Sequence, residues 1–219
     1  MAEVLAPSFL FSPTLPVRKL TAWPKSATAA NWDSLTPLPP IGSLDQNKPP
    51  VDARIGWHEG GLVVGVEVRG KHEKPFAEPL HSDRDDRVVI GIDTRDTKTI
   101  HRAGKFCHRF HLTPADENGE WDPALTATLI PRATQDAPIA SFGDDAMTGT
   151  LYEDGYRVVG LLRADALNGY DPAFSDRLGV FVEIADREYG QTPLFGDAKL
   201  PGGADPSLWP SLRMIAADA

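Results

Sequence analysis

The sequence is poor in cysteine: Cys107 is the only one in 219 residues. No intramolecular disulfide can form, which points to a reducing compartment, since bridges persist mainly in oxidising ones. The opening stretch Met1-Ala-Glu-Val-Leu-Ala-Pro-Ser-Phe-Leu-Phe11 has an acid where a signal peptide carries Lys or Arg, and Pro7 and Pro13 break its apolar run. A cytoplasmic location is the resulting expectation. Long hydrophobic runs are absent too, with nowhere the roughly 18 consecutive apolar residues of a spanning helix, so no membrane partner is expected. Positive charge is in the minority, 22 Lys and Arg against 31 Asp and Glu, net −9. A phosphate backbone would meet a repelling field, and nucleic acid is not an expected partner. Also missing are Gly-x-Ser-x-Gly, the phosphate-cradling Gly-x-x-x-x-Gly-Lys, His-Glu-x-x-His and Gly-x-Gly-x-x-Gly after a strand. Asp144-Asp145 and Glu153-Asp154 fall in predicted turns, where a pair of carboxylates has no defined partner. These absences favour binding over catalysis.

What is present suits a packed core. Apolar residues make up 41% and charged residues 24%, the balance of a globular protein, and the length suits one domain over 1–219. Prolines recur from Pro7 to Pro50, each removing a backbone donor and disfavouring helix before it. The first fifty residues should be extended. Their Phe9, Phe11, Leu15, Val17, Trp23 and Trp32 argue against a free linker and for an arm that packs on the core and supplies an edge strand. Beyond Pro50 the two-residue period of strands takes over. Val51–Trp57 and Leu62–Val68 flank a Gly60-Gly61 turn and predict a hairpin. Val88, Ile90 and Ile92 share one face, and Phe106, His108 and Phe110 alternate with Cys107, Arg109 and His111. Further strands are predicted at 125–130, 148–152, 156–162, 178–185 and 212–215, with turns at Asn118-Gly119, Asp154-Gly155 and Gly202-Gly203. One helical turn is predicted near 163–168, closed by Gly169. The pattern implies an all-β, two-sheet antiparallel sandwich of jelly-roll or immunoglobulin-like type, with a core over 51–215.

The order of these motifs resembles the family 9 carbohydrate-binding modules, a DOMON-like group of sandwiches. The resemblance rests on a strand ending in Trp57 before a short turn, the Leu62-Val-Val-Gly-Val-Glu-Val68 strand and the Asp83-Arg-Asp-Asp86 step into Val88-Val-Ile-Gly-Ile-Asp93. It continues with a Tyr156 strand, a turn containing Leu167, the Leu178-Gly-Val-Phe-Val-Glu-Ile-Ala-Asp186 strand and the Asp205-Pro-Ser-Leu-Trp209 turn. It covers roughly residues 50 to 215 and consists of strand and turn motifs alone. It implies a non-catalytic domain that holds sugar ends against aromatic rings, with structural calcium in some members, and that is usually appended to an enzyme.

Read as residues, several groups are candidates for a site. The five tryptophans could offer flat apolar faces to sugar C–H groups. Trp57 and Trp209 flank strands and are expected in the core. Trp121 follows the polar Glu117-Asn-Gly-Glu120 and is the expected platform. The polar stretch 93–102 contributes Arg95, Lys98, His101 and Arg102, whose side chains could grip hydroxyls or a carboxylate. His108 and His111 complete the candidate ligand set. A site is expected where the 93–102 loop, His101 and the Trp121 loop converge. Asp83, Asp85 and Asp86 supply the hard oxygens calcium prefers, although Arg84 and Arg87 can neutralise them instead. Zinc fits poorly, because His108 and His111 point to opposite faces of one strand. The expectations are a carbohydrate or other small polar ligand, then an interaction sandwich without a small ligand, then a metal-binding sandwich.

Overall fold

A computed structural model of the protein describes residues 13–39, 51–76, 85–116, 118–196 and 200–217. These form β1 (Thr14–Arg18), β2 (Thr36–Leu38), β3 (Val51–His58), β4 (Gly61–Val68), β5 (Arg87–Asp93) and β6 (Cys107–Thr113). There follow β7 (Ala124–Thr128), β8 (Met147–Tyr152), β9 (Gly155–Arg163), β10 (Arg177–Asp186), β11 (Gly190–Pro193) and β12 (Ser211–Ile215). Helix among the described residues is limited to short 3₁₀ turns, one of them Ala164–Ala166 in the segment predicted to be helical. Gly169, at φ +84°, follows it in the left-handed region expected of a residue that ends such a turn.

The strands make two sheets. One has seven strands in the order β1-β12-β10-β5-β6-β7, with β11 also on β10; the other has five in the order β2-β3-β4-β9-β8. Pairing is antiparallel except for β1, which lies parallel to β12. The predicted hairpin is present, with Val51 opposite Val68 and His58 opposite Gly61. Gly61 has φ +133°, and a Cβ there would stand 2.1 Å from the Leu162 carbonyl oxygen, so the turn accepts only glycine.

The alternation that predicted the strands also divides their faces. Val88, Ile90 and Ile92 of β5, Phe110 and Leu112 of β6 and Val180, Val182 and Ile184 of β10 face inward. Ile55, Leu62, Val64, Val66, Tyr156 and Val158 of the five-stranded sheet meet them, and the two sets close one core. Full burial of such a side chain contributes about 1.5–3 kcal/mol. β5 lies between β10 and β6 and has all seven residues buried, so it is the centre of the molecule.

Candidate functional site

A central strand that shows apolar residues to the core can still carry charge on its other face. Register places Val89 between Glu183 and His111, and Gly91 between Phe181 and Arg109. His111 and Arg109 continue onto Thr126 and Thr128 of β7. The outer face of the seven-stranded sheet therefore carries a polar band of Arg87, Arg109, His111, Glu183, Thr126 and Thr128. Arg87 and His111 are buried, Thr126 is exposed, and Arg109, Glu183 and Thr128 are half-buried.

The band contains partners of two kinds. Arg87 is held by Asp85, at 3.3 Å, with that carboxylate fully buried just before β5. His111 Nε2 stands 3.5 Å from the Thr128 hydroxyl. Arg109 and Glu183 differ: among the described residues neither side chain makes a hydrogen bond or an ion pair, and the Arg109 Nε is buried without an acceptor. Burial pushes the Glu183 carboxyl above its ordinary range, against the pull of Arg109 and Arg87. Burial likewise draws Arg109 below its ordinary range, with Glu183 opposing and Arg87 adding to the shift. A buried charge without its hydrogen bonds costs stability, on the order of several kcal/mol in the worst case. Two such groups on one face are poised for hydroxyls, which both donate to a carboxylate and accept from a guanidinium. Glu183 also borders a cavity of about 30 Å³ with Phe181, Pro193 and Phe195, room for one or two waters.

Of the candidate ligand residues, His111 alone falls within the band, and Arg87 is there on Asp85, which anchors its end. The loops expected to converge do not meet. Asp93 pairs with Cys107 and Thr113 with Ala124, so the 94–106 and 114–123 loops leave opposite ends of β6. Trp121 packs against the core and over Gly149 of β8, where it fills space at the edge of the sandwich. Lys98 is taken by Asp96 and the Trp209 carbonyl, and Arg102 donates to the Arg132 carbonyl at 2.7 Å. His101 lies exposed beside Asp205 and Ser207. His108 faces inward, stacked on Phe110, with burial lowering its pKa and a ring nitrogen 3.4 Å from the Asn168 carbonyl. Arg95 stands over the Phe106 and Phe174 rings.

The acidic step resolves into ion pairs with the chain's own cations. Asp85 takes Arg87, and Asp86 takes Lys71 at 3.2 Å. Asp83 lies outside the described residues. Among those described, no three His, Cys, Asp or Glu side chains gather as a metal site, and no helix is long and apolar enough to cross a membrane.

Arg109 and Glu183 escaped the sequence reading because each sits inside a run read for its apolar face. The available signal was a charge within the Val-Phe-Val-Glu-Ile and Cys-His-Arg-Phe patterns, on strands that each have a neighbour on both sides.

No protein-family model matches the chain, and no curated protein matches it. Solved structures do. A family 9 carbohydrate-binding module from Caldicellulosiruptor kristjanssonii in complex with cellotriose superposes with a TM-score of 0.64 at 15% identity, covering 93% of this chain and 94% of that one. A structure of such a module from the same organism with glucose gives 0.62 at 15% identity, over 92% and 96% of the two chains. A putative carbohydrate-binding protein from Bacteroides uniformis gives 0.54 at 12% identity, over 93% and 98%. The two-sheet sandwich described above is thus the fold of the family 9 carbohydrate-binding modules, conserved in arrangement at an identity that leaves the side chains of the site to be read on their own.

Proposed function

We propose that this protein is a non-catalytic carbohydrate-binding domain whose ligand lies on the outer face of the seven-stranded sheet, across Arg109 and Glu183. The observation that carries the reading is the absence of polar partners for these two half-buried charges among the described residues. A sugar ring supplies what they lack, because vicinal hydroxyls can donate to Glu183 and accept from Arg109 together. The fold gives independent support, since similar structures were solved with cellotriose and glucose. The Phe181 and Phe195 rings beside Glu183 are buried in packing, so the proposed contact rests on the two polar groups rather than on an open ring. Binding rather than hydrolysis is supported by the similar structures, which are binding modules.

Isothermal titration with glucose and cello-oligosaccharides tests the reading. Arg109→Met and Glu183→Gln should each weaken binding about tenfold or more in chains whose circular dichroism shows the sandwich still folded. Undiminished sugar binding by both variants, or no binding by the wild type, would sink the proposal.

A further inference from the structure

The loop end of the sandwich at Asp93 and Cys107 carries a second group of unspent donors. Asp93 accepts hydrogen bonds from the amides of Arg95 at 2.9 Å and Thr97 at 2.7 Å, which fixes the turn that bears Arg95. The guanidinium then lies over two rings, 4.7 Å from the Phe106 centroid and 5.3 Å from that of Phe174. Phe106 rests on Gly169, and Asn168 Nδ2 donates to the Lys105 carbonyl at 2.9 Å, so the base is rigid. The Phe174 backbone is tied to Asp171, whose carbonyl accepts the Phe174 amide at 3.0 Å. That ring is 77% exposed.

Arg54, Arg69, Arg157 and Arg163 are each closed by a carboxylate. Arg95 is not: among the described residues its guanidinium makes no hydrogen bond and no ion pair. The acids of the two turns are spent, Asp93 on Arg95 and Thr97 and Asp171 on the amides of Ala173 and Phe174. Lys105 adds a second cation 5.2 Å from the Phe106 centroid. Stacking keeps the planar fork in place, so little freedom remains to be lost when an anion docks on it.

We propose that Arg95, Phe106 and Phe174 form a second binding surface, separate from the Arg109–Glu183 band, that takes a carboxylate-bearing sugar ring, a uronate. The guanidinium fork matches a carboxylate through two parallel hydrogen bonds, and the open Phe174 face takes the apolar C–H face of a pyranose. A neutral sugar offers only the ring and an inorganic anion only the charge. The choice of a sugar to carry the carboxylate rests on the proposed function; the selection for a carboxylate rests on Arg95 alone.

A ¹H–¹⁵N NMR titration of the full chain with galacturonate, galactose and glucose decides it. Galacturonate should move the amides of Arg95, Phe106 and Phe174, with galactose about tenfold weaker there. Arg95→Gln and Phe174→Ala, both surface changes, should each weaken the uronate response about tenfold. Raising salt from about 50 to about 500 mM should weaken it as the screening length shortens. Arg109→Met and Glu183→Gln should leave it intact. Equal response to galactose, retention in Arg95→Gln, or no movement of these amides overturns the proposal. Loss of the uronate response in the Arg109 and Glu183 variants would also overturn it, by moving the uronate to the band, and would leave the carbohydrate reading standing. Uronate binding here with no neutral sugar bound at the band would do the reverse.

Discussion

Lys71, which follows β4, reaches across to Asp86 at the start of β5 and Asp186 at the end of β10, so one buried ammonium joins the two sheets at one end. Asp86 also accepts the amides of Phe76 and Arg187, and Asp186 those of Glu188 and Tyr189. Lys71 divides its charge between the two carboxylates, with the Arg187 guanidinium 3.9 Å from Asp86 as a weaker second partner. Burial first, and the Asp186 charge second, raise the Asp86 pKa to about 6 against the pull of Lys71. The folded value thus exceeds the unfolded one, about 3.9. The stabilising contribution of this group is complete below about pH 4 and is lost as pH rises through about 6, opposite to the usual carboxylate. In denaturant unfolding from pH 4 to 7, the wild type should therefore lose stability relative to Asp86→Asn, and the Asp86 side-chain carbon should titrate near pH 6 by NMR. A midpoint near 4 would refute this account, and Asp186→Asn should shift the midpoint downward. In the sequence, Asp85 and Asp86 looked like oxygen ligands for calcium. The Arg87 partner of Asp85 was legible two residues along, but that of Asp86 was not, because Lys71 is 15 residues from Asp86 and Asp186 lies 115 residues from Lys71. Pairing at such separations is set by register between strands, which a run of residues does not display.

At the scale of elements, the tryptophans explain much of what the strand pattern leaves open. Trp32 lies against Gly65, Trp121 against Gly149 and Trp209 against Gly91, each glycine leaving room on a sheet where a Cβ would stand within 3 Å of the indole. An indole over a glycine covers sheet backbone that no side chain protects, a packing role that competes with a ligand for the same ring. The consequence can be measured at Gly91, in the middle of central β5. A Cβ there would come within 2.8 Å of Trp209, which is 1% exposed, and within 3.0 Å of the Phe181 Cβ, leaving little room to give way. Gly91→Val should cost about 1–3 kcal/mol or more by overpacking and lower the unfolding temperature by several degrees. Gly65→Ala should cost less, because half-buried Trp32 can shift outward. Equal unfolding temperatures for Gly91→Val and the wild type would refute the packing account. The central strands were legible because β5, β9 and β10 alternate over seven to ten residues with one face in the core. β11 was not, being four residues long and defined by pairing with β10 rather than by its own pattern.

For the molecule as a whole, the described part of the N-terminal arm is a cover for both a face and two edges. Leu20, Ala27 and Leu35 lie on Val63, Val159 and Leu161, which form the outer apolar face of the five-stranded sheet, with Trp23 and Trp32 beside them. The proline-rich composition foretold an extended arm with an edge strand; it contributes two, β1 on β12 and β2 on β3. Pro16 and Pro37 stand within those strands, where a missing N–H blunts an edge against further pairing. A chain beginning at Val51 would expose Val63, Val159 and Leu161 and uncover β3, eight residues long and free of proline, as a new edge. The loss is large in area terms, at about 25 cal/mol for each Å² of apolar surface returned to water, and the bare edge adds a template for association. The truncated chain should therefore unfold at lower temperature, bind a hydrophobic dye and elute from size exclusion as soluble aggregates. Restoring residues 13–39 should reverse all three, while a monomeric truncated chain with the full-length unfolding temperature would show that the arm is dispensable to the sandwich.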